Sequence, residues 1–346
     1  MCFSTPLLGG LSPSMCWELV LERAQSHGYN SPVILYPLKL KPIFKERIWG
    51  GTRLATRFAK ALPPQTRIGE SWELVDLPQD KSIVANGALA GHAIADVVDR
   101  YGDGITGRPS FPSPFPVLIK LLDAHDVLSV QVHPDANACR RMGRGDPKTE
   151  CWYIMDAEPG STIYRGLAAG VTRKDLKAAI AQGTVADLLI QIPVEPGQCY
   201  FLPTGTLHAI GPGLLIAEIQ QPSDTTYRLF DWNRVDAEGQ GRELHVEASL
   251  ECIHFDQPAD LEVTTQGRLV DCDYFKVDKH QGAGGTQASL APGVMQIFLF
   301  LSGAGRFVQT TSETLDFRGG DCFILPASYE GNVSFSQETE YLAVTL

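Results

Sequence analysis

From Leu38 onward, apolar positions come in short runs broken by Gly, Pro and Asp: 117–122, 127–133, 150–155, 199–202, 214–220, 225–230, 295–301 and 321–325. Runs of this length, bounded by turn residues, predict antiparallel strands of a sandwich or barrel. Helical patterning predicts helices over 89–101, over 172–190 with Thr172 as N-cap, and over 243–253. No Gly-rich loop follows a strand and opens a helix, which excludes Rossmann and P-loop folds. The chain reads as mostly β. Residues 1–35 differ: turn-rich stretches at 12–14 and 26–32 read as a poorly ordered N-terminal extension, with at most a short helix over 17–23.

An internal repeat organises the remainder. Gly197-Gln-Cys-Tyr-Phe-Leu-Pro203 lines up with Gly320-Asp-Cys-Phe-Ile-Leu-Pro326, each a Gly turn, a short strand and a Pro exit. Two similar β-barrels are expected, over 36–255 and 256–346, as in a duplicated barrel. They differ at a telling place: His208 of the first copy falls opposite Gly331 of the second. Whatever His208 binds, the second barrel has lost.

Length and composition narrow the class. The 346 residues suit two modest domains, and 44% hydrophobic with 20% charged residues supports a sizeable soluble core. A formal charge of −11 argues against nucleic acid or anionic membrane as partner, since both need clustered Lys and Arg. No run approaches the roughly 20 apolar residues of a membrane span, and the N-terminus has no signal-peptide pattern. The eight cysteines form no Cys-x-x-Cys pair, so they read as reduced thiols of a cytoplasmic protein.

Candidate chemistry sits on the predicted strands. In 127–135, alternation puts Ser129, Gln131 and His133 on one face and Val130 and Val132 on the other. Alone, that polar face suits an edge strand facing solvent as well as a ligand-holding lumen. Lys148 and Glu150 share a face at i and i+2, a pattern equally common on solvated surfaces. His208 follows a Pro-Thr-Gly turn, where a satisfied core histidine is the plain alternative. Together, Gln131, His133, Glu150 and His208 offer two imidazoles and two oxygens with no thiolate. Such a set suits Zn²⁺ in a catalytic role, with Mn, Fe, Co or Ni as alternatives. Glu218 and Lys120 each interrupt an apolar strand, where a charge is costly unless paired or bound. Arg228 and Arg234 flank an aromatic run.

Four motifs in order, Ser-Val-Gln-Val-His-Pro-Asp (129–135), Lys-Thr-Glu-Cys-Trp-Tyr (148–153), Leu-Pro-Thr-Gly-Thr-Leu-His-Ala (202–209) and Pro-Ser-Asp-Thr-Thr-Tyr-Arg (222–228), resemble the type I mannose-6-phosphate isomerases, most closely their short bacterial form. The similarity runs from about Tyr36 to the C-terminus and includes Ile-Trp-Gly-Gly (48–51) and Gly-Glu-Ser-Trp-Glu-Leu (69–74). The resemblance implies two cupin (jelly-roll) barrels with short helical insertions, only the first carrying metal. It implies one Zn²⁺ per chain on Gln131, His133, Glu150 and His208. It places Arg228, Lys148 and Glu218 in the catalytic pocket. Ser129, Lys120, Arg234 and Asp224 fall on the substrate, with Arg234 standing where longer relatives carry Lys. The implied reaction interconverts mannose 6-phosphate and fructose 6-phosphate through a cis-enediol, with the phosphosugar as the one small-molecule partner. Another hexose, a non-catalytic metal-binding cupin or a cupin dioxygenase are the alternatives; the last explains neither Gln131 nor the basic residues. Oligomeric state is not legible.

Overall fold

The short apolar runs pair into four antiparallel sheets stacked two by two. This architecture comes from a computed structural model that describes residues 34–235, 238–256, 261–290, 292–309 and 314–346. Apart from its last two positions, the expected N-terminal extension and its possible helix over 17–23 lie outside the described residues. Leu35 packs against the core.

The first sheet runs β2 (Ile43–Gly51), β3 (Ile68–Leu74), β4 (Leu118–Ala124), β11 (Leu214–Gln220), β6 (Glu150–Ala157) and β9 (Cys199–Leu202). Opposite it lies a sheet of β12 (Tyr227–Phe230), β5 (Val130–Val132), β10 (His208–Ile210), β7 (Thr162–Leu167) and β8 (Leu189–Pro193). The second half repeats the plan. One sheet is ordered β1 (Leu38–Lys39), β19 (Cys322–Leu325), β16 (Gln296–Ser302), β21 (Thr339–Thr345), β14 (Lys276–Gly282) and β13 (Arg268–Asp271). The other is β15 (Gln287–Ser289), β20 (Asn332–Phe335), β17 (Ala304–Val308) and β18 (Leu315–Arg318).

The two halves join back to back. Ile119, Leu121, Cys151, Tyr153, Ala217 and Ile219 on the outer face of the first sheet cluster with Ile297, Leu299, Ile324, Leu342 and Val344 of the second half. Leu122, Trp152, Ile154 and Ile216 point the other way and pack with Ile163 and Ile210 of the opposing sheet. All seven residues of β4 and of β11 are therefore buried, including the charges of Lys120 and Glu218 that interrupt their apolar runs. Each fully buried Leu or Ile contributes about 1.5–3 kcal/mol. The seam is closed by β1: at the start of the first half, it pairs Leu38 with Ile324 in the sheet of the second.

The repeated segments become β9 and β19, each preceded by a glycine in the left-handed region, Gly197 at φ 93° and Gly320 at φ 86°. Helix boundaries depart from the pattern where glycines intervene. The helix expected over 89–101 is α2 (Ile94–Tyr101), following α1 (Arg53–Phe58) in the chain; Gly91, at φ 89°, keeps the preceding residues in a turn. After α3 (Asp103–Thr106) and α4 (Ala136–Met142) comes α5 (Arg173–Gln182), where 172–190 was expected. Thr172 and Asp175 form a reciprocal capping box at its start, and Gly183 stops it in a left-handed C-cap. The helix expected over 243–253 is α6 (Val246–Cys252).

Candidate active site

Three antiparallel strands bring the polar residues together. β10 pairs with β5 so that His208 stands opposite Gln131, and β12 places Arg228 opposite Gln131 on the other side. β6 supplies Glu150 from the facing sheet. His133 Nε2 lies 3.4 Å from Glu150 Oε2, and His208 Nε2 lies 3.4 Å from Glu150 Oε1. The Gln131 carboxamide comes within 3.4 Å of His208 Nε2. All three residues of the His133–Glu150–His208 cluster are buried.

The cluster fits a divalent cation. Each imidazole donates from Nδ1 to a backbone carbonyl, His133 to Thr225 O and His208 to Thr206 O, both at 2.9 Å. That fixes the tautomer and aims both Nε2 lone pairs at the carboxylate. Burial and the neighbouring Lys148 push His133 down to about 4, and burial lowers His208 too, so both rings are neutral donors at pH 7. Both Glu150 oxygens are buried; Oε2 is ion-paired with Lys148 at 2.6 Å, and Oε1 faces His208 Nε2 with no hydrogen-bond donor of its own. Burial alone would raise this carboxyl, but the Lys148 ammonium beside it holds it well below the usual carboxylate range. A buried carboxylate facing two oriented imidazoles, with one oxygen free of any hydrogen-bond donor, is a donor set that fits a cation.

Above the cluster opens a cleft of about 370 Å³ whose wall includes Arg47, Glu70, Lys120, Lys148, Glu218 and Arg228. Lys148 Nζ bridges it to the cluster, 2.6 Å from Glu150 Oε2 and 3.1 Å from His133 Nε2. Glu218 takes an ion pair from Lys120 at 3.1 Å and a hydrogen bond from Trp152 Nε1 at 3.0 Å. Lys148 is 4.0 Å from it. Burial works against the Lys120 ammonium, but Glu218 and Glu70 outweigh it and raise its pKa. On the opposite wall Arg228 Nε donates to Ser129 Oγ at 3.3 Å.

Ten of the eleven residues singled out from the sequence thus converge: the cluster of His133, Glu150, His208 and Gln131, and the cleft wall with Lys120, Ser129, Lys148, Glu218, Asp224 and Arg228. Arg234 stands apart. Its guanidinium donates to Asp231 Oδ1 at 2.6 Å and to Val127 O at 2.7 Å, and Arg242 lines the cleft in its place. The sequence reading also missed Arg47 and Glu70, although Glu70 lies within a motif it quoted. Arg47 grips Glu70 with two hydrogen bonds, at 2.9 and 3.2 Å, and Trp72 Nε1 adds a third at 2.6 Å. A glutamate alternating with tryptophan in a strand was the available signal. Arg242, in a Gly-Gln-Gly loop, offered none.

Two back-to-back β-sandwiches, one holding a buried His–Glu–His cluster beneath a charged cleft, define a double cupin with a candidate metal centre. Comparison with known proteins narrows this. Residues 37–163 match the model of the phosphomannose isomerase type I catalytic domain. Mannose-6-phosphate isomerase ManA of Bacillus subtilis is 40% identical over 305 residues, 84% of this chain and 93% of that one. The mannose-6-phosphate isomerase of Streptococcus mutans is 38% identical, over 84% and 92% of the two chains. The crystal structure of the mannose 6-phosphate isomerase from Bacillus subtilis superposes with a TM-score of 0.81 at 32% identity, covering 90% of this chain and all of that one. The chain belongs to the type I phosphomannose isomerases.

Proposed function

We propose that this protein is a metal-dependent aldose–ketose isomerase that interconverts mannose 6-phosphate and fructose 6-phosphate. One observation carries the reading: a cleft walled by lysine, buried glutamate and arginine side chains reaches the His133–Glu150–His208 cluster through Lys148 and Gln131, which line the cleft and touch the cluster. The 40% identity to a named mannose-6-phosphate isomerase over nearly its whole length supports the substrate. Gln131, His133, Glu150 and His208 would hold one Zn²⁺, the ion that an N/O set with no thiolate suits in a catalytic role. When bound, the ion supplies Lewis acidity toward the oxygens of the open-chain sugar.

The remaining chemistry belongs to side chains. A proton must leave C2 of the aldose and arrive at C1, through a cis-enediol. Of the cleft carboxylates, Glu70 is spent on Arg47 and Trp72, and Asp224 is exposed. Glu218 is buried, oriented by Lys120 and Trp152, and faces the cleft, so it is the group to carry the proton. Lys148 and Arg228 supply positive charge where the oxyanion develops. Ser129, Lys120 and Asp224 position the substrate. Arg234, the remaining substrate-binding expectation, contributes from behind Asp231. The six free thiols among the described residues fit a reducing, cytoplasmic setting, and among these residues no helix is long and apolar enough to cross a membrane. The net charge of −11 speaks against a nucleic-acid partner.

Turnover in D₂O tests the assignment. Wild type is expected to interconvert the two sugar phosphates and exchange the C2 proton for deuterium. Glu218→Gln is expected to lose both by about a hundredfold or more while KM changes little. Undiminished exchange in Glu218→Gln would remove Glu218 from that role.

A further inference from the structure

Three guanidinium groups surround the buried carboxylate of Asp231: Arg228 and Arg242, which line the cleft, and Arg234 behind them. Asp231 is 5% exposed and grips Arg242 with both oxygens, Nε to Oδ2 at 2.8 Å and Nη2 to Oδ1 at 2.6 Å. Arg234 donates to Oδ1 from the other side at 2.6 Å, and its Nη1 goes to Val127 O. Two further acids are near. Asp126 lies 3.8 Å from Arg234 and is half exposed, and Glu243 is almost fully exposed. One buried negative charge therefore faces three positive ones. Burial, together with repulsion from Arg242 and Arg234, pushes the Arg228 guanidinium below its usual range.

The three arginines are not equivalent. Arg228 is anchored to Ser129 Oγ and Glu243 O, and Arg234 has both terminal nitrogens engaged behind Asp231. Arg242 has one edge of its fork locked on Asp231 and lines the cleft beside Arg228 and Ser129, and among the described residues nothing accepts a hydrogen bond from its Nη1. A guanidinium held rigidly by one bidentate pair, with its remaining donor at the cleft wall, is preorganised for an oxyanion. We infer that Arg242, together with Ser129, binds the phosphate group of the substrate, and that Arg234 is a positioning residue acting through Asp231. This rests on the phosphosugar reading above. It shifts the anion contact from the arginine that the motif order suggests to one in the following loop.

The test compares Arg242→Gln with Arg234→Gln, reading KM, kcat and the inhibition constant of inorganic phosphate. Arg242→Gln is expected to raise both KM and the phosphate Ki by about tenfold or more with kcat held within about threefold. Arg234→Gln and Asp231→Asn are expected to raise both by a smaller factor. If Arg242→Gln does not fold, Arg242→Lys decides: it keeps the charge but not the fork, so a KM raised at least about threefold supports the site, and a wild-type KM overturns it. Wild-type KM and Ki in Arg242→Gln, or a larger rise in Arg234→Gln, would overturn the inference. Should wild type not isomerise mannose 6-phosphate yet bind phosphate through Arg242, the anion site stands and the reaction assignment falls. Absence of phosphate inhibition in an active wild type would overturn the anion site alone.

Discussion

The two sandwiches share strand order and a repeated segment, yet they fill the space between their sheets with opposite chemistry. Register makes the comparison residue by residue. In the first half β6 pairs with β9 so that Glu150 meets Leu202 and Trp152 meets Tyr200. In the second, β16 pairs with β19 so that Gln296 meets Leu325 and Phe298 meets Phe323. The counterpart of Glu150 is thus Gln296, and through β11 and β21 that of Glu218 is Ala343. His208 is matched by Gly331, where even a Cβ would come within 2.5 Å of Tyr329 Oη. Phe298, Phe300, Phe307, Phe317, Phe323, Tyr329, Phe335 and Tyr341 fill the second interior. Phe300 and Phe317 stack with ring centroids 3.8 Å apart. One copy carries buried charge whose benefit is chemical. The other is a dry aromatic core whose benefit is stability, and it braces the first sheet from behind.

The comparison breaks most visibly at the cluster itself. Glu150→Gln and His208→Ala are each expected to empty the metal site and cut turnover by at least about a thousandfold. Metal content by elemental analysis and the rate on mannose 6-phosphate report the two losses together. Phe300→Ala in the second half should do the reverse. Removing a fully buried, stacked ring costs about 3–5 kcal/mol of stability, measured by denaturant melts, while one equivalent of metal remains in the folded fraction. A smaller effect is expected from Gly331→His, which restores the ligand type but not the site. The new side chain collides with Tyr329, costing about 1–3 kcal/mol, and metal stoichiometry stays at one per chain. Smallest is an acid-side effect confined to the first half. Burial would raise the Glu70 carboxyl, but Lys120 and Arg47 hold it below its ordinary value of 4.5. Its contribution is therefore present above pH 4.5 and lost as pH falls through the lowered folded value. Melting temperature against pH should fall less steeply in Glu70→Gln than in wild type over that range.

The same contrast explains what could be read in the sequence. Gln131 and His133 were legible because they alternate with the buried valines of β5, Glu150 because it shares a face with Lys148 two residues before it, and His208 because it follows a Pro-Thr-Gly turn. Glu218 stood out because a charge interrupts an apolar strand, here a seven-residue buried one. The duplication was legible because Gly197 and Gly320 both need a left-handed backbone. Strands such as β14, whose residues Lys276–Gly282 are largely polar and partly exposed, give no apolar run and were not foreseen. Helix ends at Ile94 and Gln182 were set by glycines one to three residues away, which periodicity does not register. Arg242 was invisible because its role depends on Asp231, reached across a loop, and no local spacing encodes that contact.

The most direct test of the central claim, that a single metal in the first sandwich supports the isomerase, is a coupled assay of fructose 6-phosphate formed from mannose 6-phosphate. Chelator-treated protein is compared with protein reloaded with one equivalent of zinc. Activity lost on chelation and restored by that one equivalent is the predicted result. Turnover indifferent to chelation, or none in protein carrying one metal per chain, would contradict it.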